Sequence, residues 1–324
     1  MSSGAGNNAV AVNNDFVNGR QPHADISITF GGSSWYYTVC AIMTFATIVF
    51  LGLGYTKPRT HRAFHYITAG VTMVAAIAYF TMGSNLGWVS IPVEFHRSGA
   101  TVQGDYREIF YVRYIDWAIT TPLLLTDLLL TAAIPVPTIL FVVLADEVMI
   151  VTGLVGALIS SSYKWGFFAF GCAALVYITY HLVWEARIHA NAVSKEAGRA
   201  FLMCGSLTAF LWLLYPIAWG ICEGGNVIGA DGEAIFYGIL DVLAKPVFGA
   251  MLIFGHRNID PATLGLHIRD YTSDDIAVRE KGHGLDVNGH HHGNGTTAAP
   301  ANGVNGHGVV DGTHTNAAAG PTSI

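Results

Sequence analysis

Seven apolar stretches, each long enough to cross a bilayer as a helix, limit what this chain can fold into. They run over about 33–55, 62–87, 106–130, 136–159, 164–188, 197–222 and 232–255. A helix needs roughly 20 residues to cross the hydrocarbon layer. The composition agrees: 52% of the 324 residues are hydrophobic and only 12% charged, against about 25% in average soluble proteins. Mean hydropathy is +0.44. The expected architecture is an all-α membrane protein, a seven-transmembrane-helix bundle forming one domain over residues 33–256. Residues 1–32 are rich in Asn, Gly and Ala, lack the basic-then-apolar pattern of a cleaved signal, and read as a disordered tail. Residues 257–324, rich in Gly, Asn, His and Thr, read as a second, mostly disordered tail.

Positive charge orients such a bundle. Ten of the 16 Lys and Arg residues (Lys57, Arg59, Arg62, Arg187, Lys195, Arg199, Arg257, Arg269, Arg279, Lys281) fall on one side, and four (Arg20, Arg97, Arg107, Lys164) on the other. The N-terminus is expected outside and the C-terminus in the cytoplasm. The loop 89–105 reads as an outer hairpin. Cys40, Cys172, Cys204 and Cys222 show no paired spacing and read as small packing residues. His290–His292 reads as a low-complexity spacer rather than a metal site, and the sequon at Asn294 is on the wrong side for glycosylation. The net charge of −6 gives no footing for nucleic acid.

The last apolar stretch carries the chemistry. It reads IFYGILDVLAKPVFGAMLIF over residues 235–254, with Asp241 and Lys245 one turn apart on one helical face. An ionisable residue at mid-membrane costs at least about 2.5 kcal/mol. A self-neutralising salt bridge is one reading. The other is that Lys245, held in an apolar place, condenses with an aldehyde cofactor while Asp241 balances the cation.

The third stretch, RYIDWAITTPLLLTDLL over 113–129, places Asp116 and Asp127 on nearly one face, about three turns and roughly 16 Å apart. Thr120 is one turn from Asp116 and within reach of it. Arg113 lies about a turn outward, where it would hold Asp116 ionised. Asp127, among Leu123, Leu124, Leu128 and Leu130 with no cation near in sequence, is expected to keep its proton at rest. Such a pair makes a directional proton path; helix caps or bridges are the plainer alternative. Trp212, Tyr215 and Trp219 make an aromatic stripe on the sixth stretch, with Pro216 as a kink. With Trp117, Tyr79, Phe167, Phe168 and Phe170 they would wall a slot for a flat conjugated ligand. Asp146 reads as a neutral hydrogen-bond partner within the bundle. Gly153, two turns on, leaves room for a ring.

The motifs RYIDWAITTPLLLTD, WLLYPIAW and LDVLAKPVFG together resemble the microbial (type 1) rhodopsins, the fungal opsins most closely, over residues 33–256. By that resemblance Lys245 carries all-trans retinal as a protonated Schiff base. Asp116 and Asp241 are its counterions, Asp116 the proton acceptor and Asp127 the cytoplasmic donor. Arg113, Thr120, Tyr79 and Tyr215 support them, and Glu223 and Glu233 match the outer release glutamates. Trp117, Thr121, Leu124, Asp146, Met149, Gly153, Phe168, Trp212 and Trp219 are expected around the chromophore, with no metal. Leu124 occupies the position where leucine goes with green-absorbing pigments. Phe167, Phe168 and Gly171 depart from the bacteriorhodopsin pattern of two tryptophans and a serine.

The set Asp116, Thr120, Asp127 implies an outward light-driven proton pump rather than an enzyme, in the plasma membrane, surrounded by lipid, possible as a trimer. A slow photosensor signalling through a cytoplasmic partner is the alternative, kept open by the long tail. A seven-helix transporter or receptor without chromophore would show no colour with retinal. A light-gated channel lacks the glutamates expected on the second helix.

Overall fold

The structure, a computed structural model, describes residues 7–14 and 23–268. The readings made for Arg20, Arg269, Arg279, Lys281, His290–His292 and Asn294 lie outside them. Ten α-helices occur among the described residues: α1 (Ala9–Asn14), α2 (Phe30–Tyr55), α3 (Ala63–Gly83), α4 (Tyr111–Thr131), α5 (Val136–Ala157), α6 (Lys164–Tyr180), α7 (Arg187–Val193), α8 (Lys195–Trp219), α9 (Ala230–Val242) and α10 (Phe248–Gly255). A π-helical turn, His181–Ala186, joins α6 to α7, and another, Leu243–Val247, joins α9 to α10. The ten therefore make seven spanning rods and one short helix.

Six rods are long and apolar enough to cross a membrane by length and composition. The remaining rod, α4, third in chain order, has Arg113, Asp116 and Asp127 buried inside it. Contacts run α2–α3–α4–α5–α6, on through α7 and α8 to α9, and from α9 back to α2, closing a ring. Exposed Phe45, Ile48, Leu140, Phe141, Phe170 and Phe210 cover its outside. Inside, Leu124, Leu125, Leu128, Leu211, Leu252 and Phe248 fill one half, and Tyr36, Met43, Tyr79 and Met82 pack across α2 and α3.

Helix ends follow local chemistry. Thr29 Oγ1 accepts from the Gly31 amide at 3.0 Å and starts α2, and Ser194 Oγ accepts from Ala197 N at 3.0 Å to start α8; both are N-cap bonds. Pro246 has no amide proton to return to the preceding turn, and the wider turn at Leu243–Val247 absorbs that loss.

Four boundaries differ from the sequence reading. The helix expected from 106 starts at Tyr111, because Tyr106–Ile109 is a strand (β2) paired antiparallel with Val89–Pro92 (β1). The hairpin expected in 89–105 therefore extends to Ile109. The fifth rod continues through its π-helical turn to Val193. The segment before residue 33 is not a free tail where it is described. Ile26 lies along β2, donating to Tyr106 O at 3.0 Å and accepting from Glu108 N at 2.9 Å. Ala24, Ile26 and Ile28 are buried. Asp25 Oδ2 receives the amides of Asp105 and Tyr106, and Asn13 Nδ2 donates to Ser84 O at 2.6 Å. Composition hides this order, because backbone pairing and a few small apolar residues carry it.

Candidate functional site

Lys245 is buried at the middle of the ring. Its Nζ lies 2.6 Å from Asp116 Oδ2 on α4 and 3.1 Å from Asp241 Oδ2 one turn back. The two carboxylates are held differently. Asp241 accepts the Tyr79 hydroxyl at 2.7 Å and the Tyr215 hydroxyl at 2.6 Å. Asp116 Oδ1 is buried and has no partner among the described residues. Thr120, expected within reach of Asp116, donates to its backbone carbonyl at 2.8 Å, the usual bond of a threonine to the residue one turn back, and lies close to its carboxylate as well.

A cavity opens beside the lysine. Trp117, Thr121, Leu124, Met149, Gly153, Phe168, Trp212, Tyr215 and Trp219 line it. Tyr114, Ile150, Leu175 and Ala244 line it as well and went unread; Cys172, read as a packing residue, and Pro216, read as a kink, line it too. Gly171 does too, noted in the sequence only as a departure from a pattern. Phe168 stacks on Trp219 with centroids 5.0 Å apart. Trp117 meets Tyr215 edge-on at 5.2 Å. Tyr79 is not among the lining residues; its hydroxyl serves Asp241. Phe170, read as part of the slot, is 64% exposed on the outside of the bundle. Phe168, two residues before it, points the other way, as a helix requires. Asp146 stands behind the wall and accepts from Thr121 Oγ1 at 2.7 Å.

Toward the hairpin end lies a second charged group. Arg113 does not reach back to Asp116. Its Nη1 lies 2.6 Å from Glu233 Oε1 and 3.2 Å from Glu223 Oε1. Its Nη2 donates to the Tyr36 hydroxyl at 2.9 Å, and its guanidinium sits 4.2 Å from the Tyr237 ring centroid. Arg107 of β2 takes the other oxygen of Glu233 at 2.7 Å and donates to Asn226 Oδ1 at 2.8 Å. Glu233 is thus bracketed by two guanidiniums. Glu223 is held by one longer bond to Arg113 and by the hydroxyls of Tyr114 and Tyr237 at 3.1 and 3.0 Å. Cys222 Sγ and the two glutamates converge within 4.8 Å, with the guanidiniums already supplying the positive charge there.

Arg107, Tyr36, Tyr237 and Asn226 were missed. They come from a strand, two helices and a loop, and only Arg107, counted among the outer-side charges, carried any signal. Burial opposes the charge on Arg107, but Glu233 beside it holds the guanidinium above its ordinary range. Glu108, next to it, is also buried. Burial pushes its carboxyl up to about 8, against the pull of the Ile28 amide.

Away from the hairpin, Asp127 is buried with no cation against it. Its Oδ2 accepts from Thr68 Oγ1 on α3 at 3.1 Å, and Oδ1 has no partner among the described residues. Asp116, Lys245 and Asp127 therefore lie in sequence along the inside of the ring.

A family profile described as Bacteriorhodopsin-like protein matches residues 31–259. The opsin-like protein carO of Fusarium fujikuroi is 64% identical over 299 residues, 92% of this chain and 96% of that one. Among solved structures, a light-driven proton pump, LR (Mac), from Leptosphaeria maculans aligns with a TM-score of 0.68 and 36% identity, over 73% of this chain and 98% of that one. Halorhodopsin, a light-driven chloride pump, aligns at 0.65 and 29%, over 72% and 97%. The fold is thus shared by pumps of different ions. By the profile match, and by identity to a fungal opsin over nearly its whole length, this chain belongs to the bacteriorhodopsin-like family of microbial rhodopsins, among its fungal opsins.

Proposed function

We propose that this protein is a light-driven outward proton pump with all-trans retinal joined to Lys245. Proteins of the family use retinal as chromophore. The fit is supported by a long aromatic cavity that ends on one buried amine flanked by two acids. Trp117, Trp212, Tyr215, Trp219 and Phe168 would hold the polyene, with Gly153 and Gly171 leaving width. When bound, the retinal supplies light absorption and the isomerisation that turns the Nζ proton within the bundle.

The observation that carries the reading is the unequal treatment of the two acids beside Nζ. Asp241 has two tyrosine hydroxyls to stabilise its charge. Asp116 has a free oxygen and the shorter contact to Nζ. The two tyrosine hydroxyls occupy both oxygens of Asp241, which leaves Asp116 as the acid placed to take the proton from Nζ. Neutral Asp116 weakens the negative field on its outer side, and the Arg113–Glu223–Glu233 group then releases a proton. Glu223, with one longer ionic contact and two phenols, is the less tightly paired member of that group. Asp127, on the opposite side of Lys245, returns a proton to Nζ. Asp116, Thr120 and Asp127 as a set favour proton over chloride, since an anion has no place beside a carboxylate at Nζ.

The positive-charge bias supports placing the hairpin and Glu223/Glu233 outside, and the end carrying Arg62, Arg187 and Arg257 in the cytoplasm. The test is illumination of retinal-loaded cells or vesicles in weak buffer. Acidification on the hairpin side, abolished by a protonophore, is the expected result. Absence of any pH change, or recovery over seconds with no net transport, overturns pumping and leaves a photosensor.

A further inference from the structure

Below Asp127 the bundle ends on a histidine. His256 closes the seventh rod, half-buried, its ring 4.1 Å from the Phe64 ring centroid. Its Nδ1 lies 2.8 Å from Leu252 O, and its Nε2 lies 3.1 Å from Thr131 Oγ1. Thr131 sits one turn beyond Asp127 on the same face of α4, and its Oγ1 is 2.8 Å from the Asp127 carbonyl.

Counting hydrogens makes this arrangement two-fold. A carbonyl only accepts, so Nδ1 carries a hydrogen. Thr131 has one hydroxyl hydrogen for two acceptors. If it goes to the Asp127 carbonyl, Nε2 donates to Oγ1 and the ring is an imidazolium. If it goes to Nε2, the ring is neutral and the carbonyl loses that bond. Both states fit the same heavy-atom positions, which is what a group that passes a proton without moving requires. Other titratable and charged groups at this end include Asp127 on α4, buried His65 on α3, Cys204 on α8 near Asp127, His61 and Asp260, 3.7 Å apart at the surface, and Arg62 and the exposed Arg257.

Resting on the pumping reading, we infer that His256 and Thr131 form the relay that reloads Asp127 from the cytoplasmic side. A proton taken up by the imidazole leaves from Nε2 to Thr131 Oγ1. The hydroxyl's own hydrogen, directed at the Asp127 backbone carbonyl in this structure, moves on to the carboxylate of the same residue when that side chain, whose Oδ1 is buried and without a partner among the described residues, turns toward it. The ring returns to neutral, so no charge is left behind.

The test uses the full-length, retinal-loaded protein after a light flash, with a pH-indicator dye reporting proton release and then uptake. In His256→Phe, which keeps a ring against Phe64, uptake is expected to slow by about tenfold or more while release is unchanged. Imidazole added to the buffer is expected to restore the rate. Thr131→Val, which removes the hydroxyl and leaves the histidine, is expected to slow uptake likewise. Uptake in both variants at the wild-type rate overturns the relay. A wild-type protein that colours but gives no release overturns pumping itself, a result the variants cannot mimic.

Discussion

Arg113 turns its guanidinium away from Asp116, three residues along the same helix, and places Nη1 2.6 Å from Glu233 on α9. The cation beside Asp116 is Lys245, at 2.6 Å. The inner and outer halves of the charged interior are therefore separate ionic groups, each with its own cation, and Asp116 can change charge without directly breaking an Arg113 bond.

The inner group predicts a division of labour between its acids. Asp116→Asn removes the acceptor while Asp241 still balances Nζ, so the protein should fold and take up retinal. Light-driven acidification should fall by about 100-fold or more. Lys245→Ala should give no coloured pigment at all. A spectrum and a light-driven pH trace of each variant decide both.

The outer group predicts unequal costs. Glu233→Gln leaves Arg107 facing a neutral amide and Arg113 with only its longer Glu223 contact, and should cost about 3–5 kcal/mol. Glu223→Gln leaves Arg113 paired with Glu233, and should cost about 1–3 kcal/mol. Thermal bleaching of the two variants ranks them; equal loss would contradict the bracketed geometry.

Glu108 predicts a pH dependence of stability. Its folded carboxyl titrates at about 8 against an ordinary 4.5, so the folded state holds a proton that the unfolded chain gives up. Stability from this group is full below about 4.5 and is lost as pH rises through 8. Glu108→Gln, which cannot ionise, should flatten the decline in melting temperature across that window. Thermal melts from pH 5 to 9 measure it, with an expected difference on the order of a few kcal/mol.

Gly249 predicts a link between packing and proton supply. A Cβ there would collide with Thr68 Cγ2 and press on Phe50. Gly249→Ala should therefore displace Thr68, loosen its bond to Asp127, and cost about 1–3 kcal/mol. Recovery kinetics after a flash should change in this variant and remain normal in Gly52→Ala, where nothing lies within 4 Å.

The sequence by itself determined the seven rods, because twenty apolar residues in a row have one economical solution in lipid. It also determined the face of α4 that carries Asp116 and Asp127 and the turn that places Asp241 beside Lys245, since both spacings are properties of a single helix. Partners on other elements were beyond it. That Arg113 chooses Glu233 over Asp116, that Arg107 from a strand takes the other oxygen, and that His256 meets Thr131 depend on how rods 100 or more residues apart lie against one another. Helical periodicity says which way a side chain points but not what it meets. Only the closed ring, which forces buried charges to find opposite charges or hydroxyls within about 3 Å, decided those pairings.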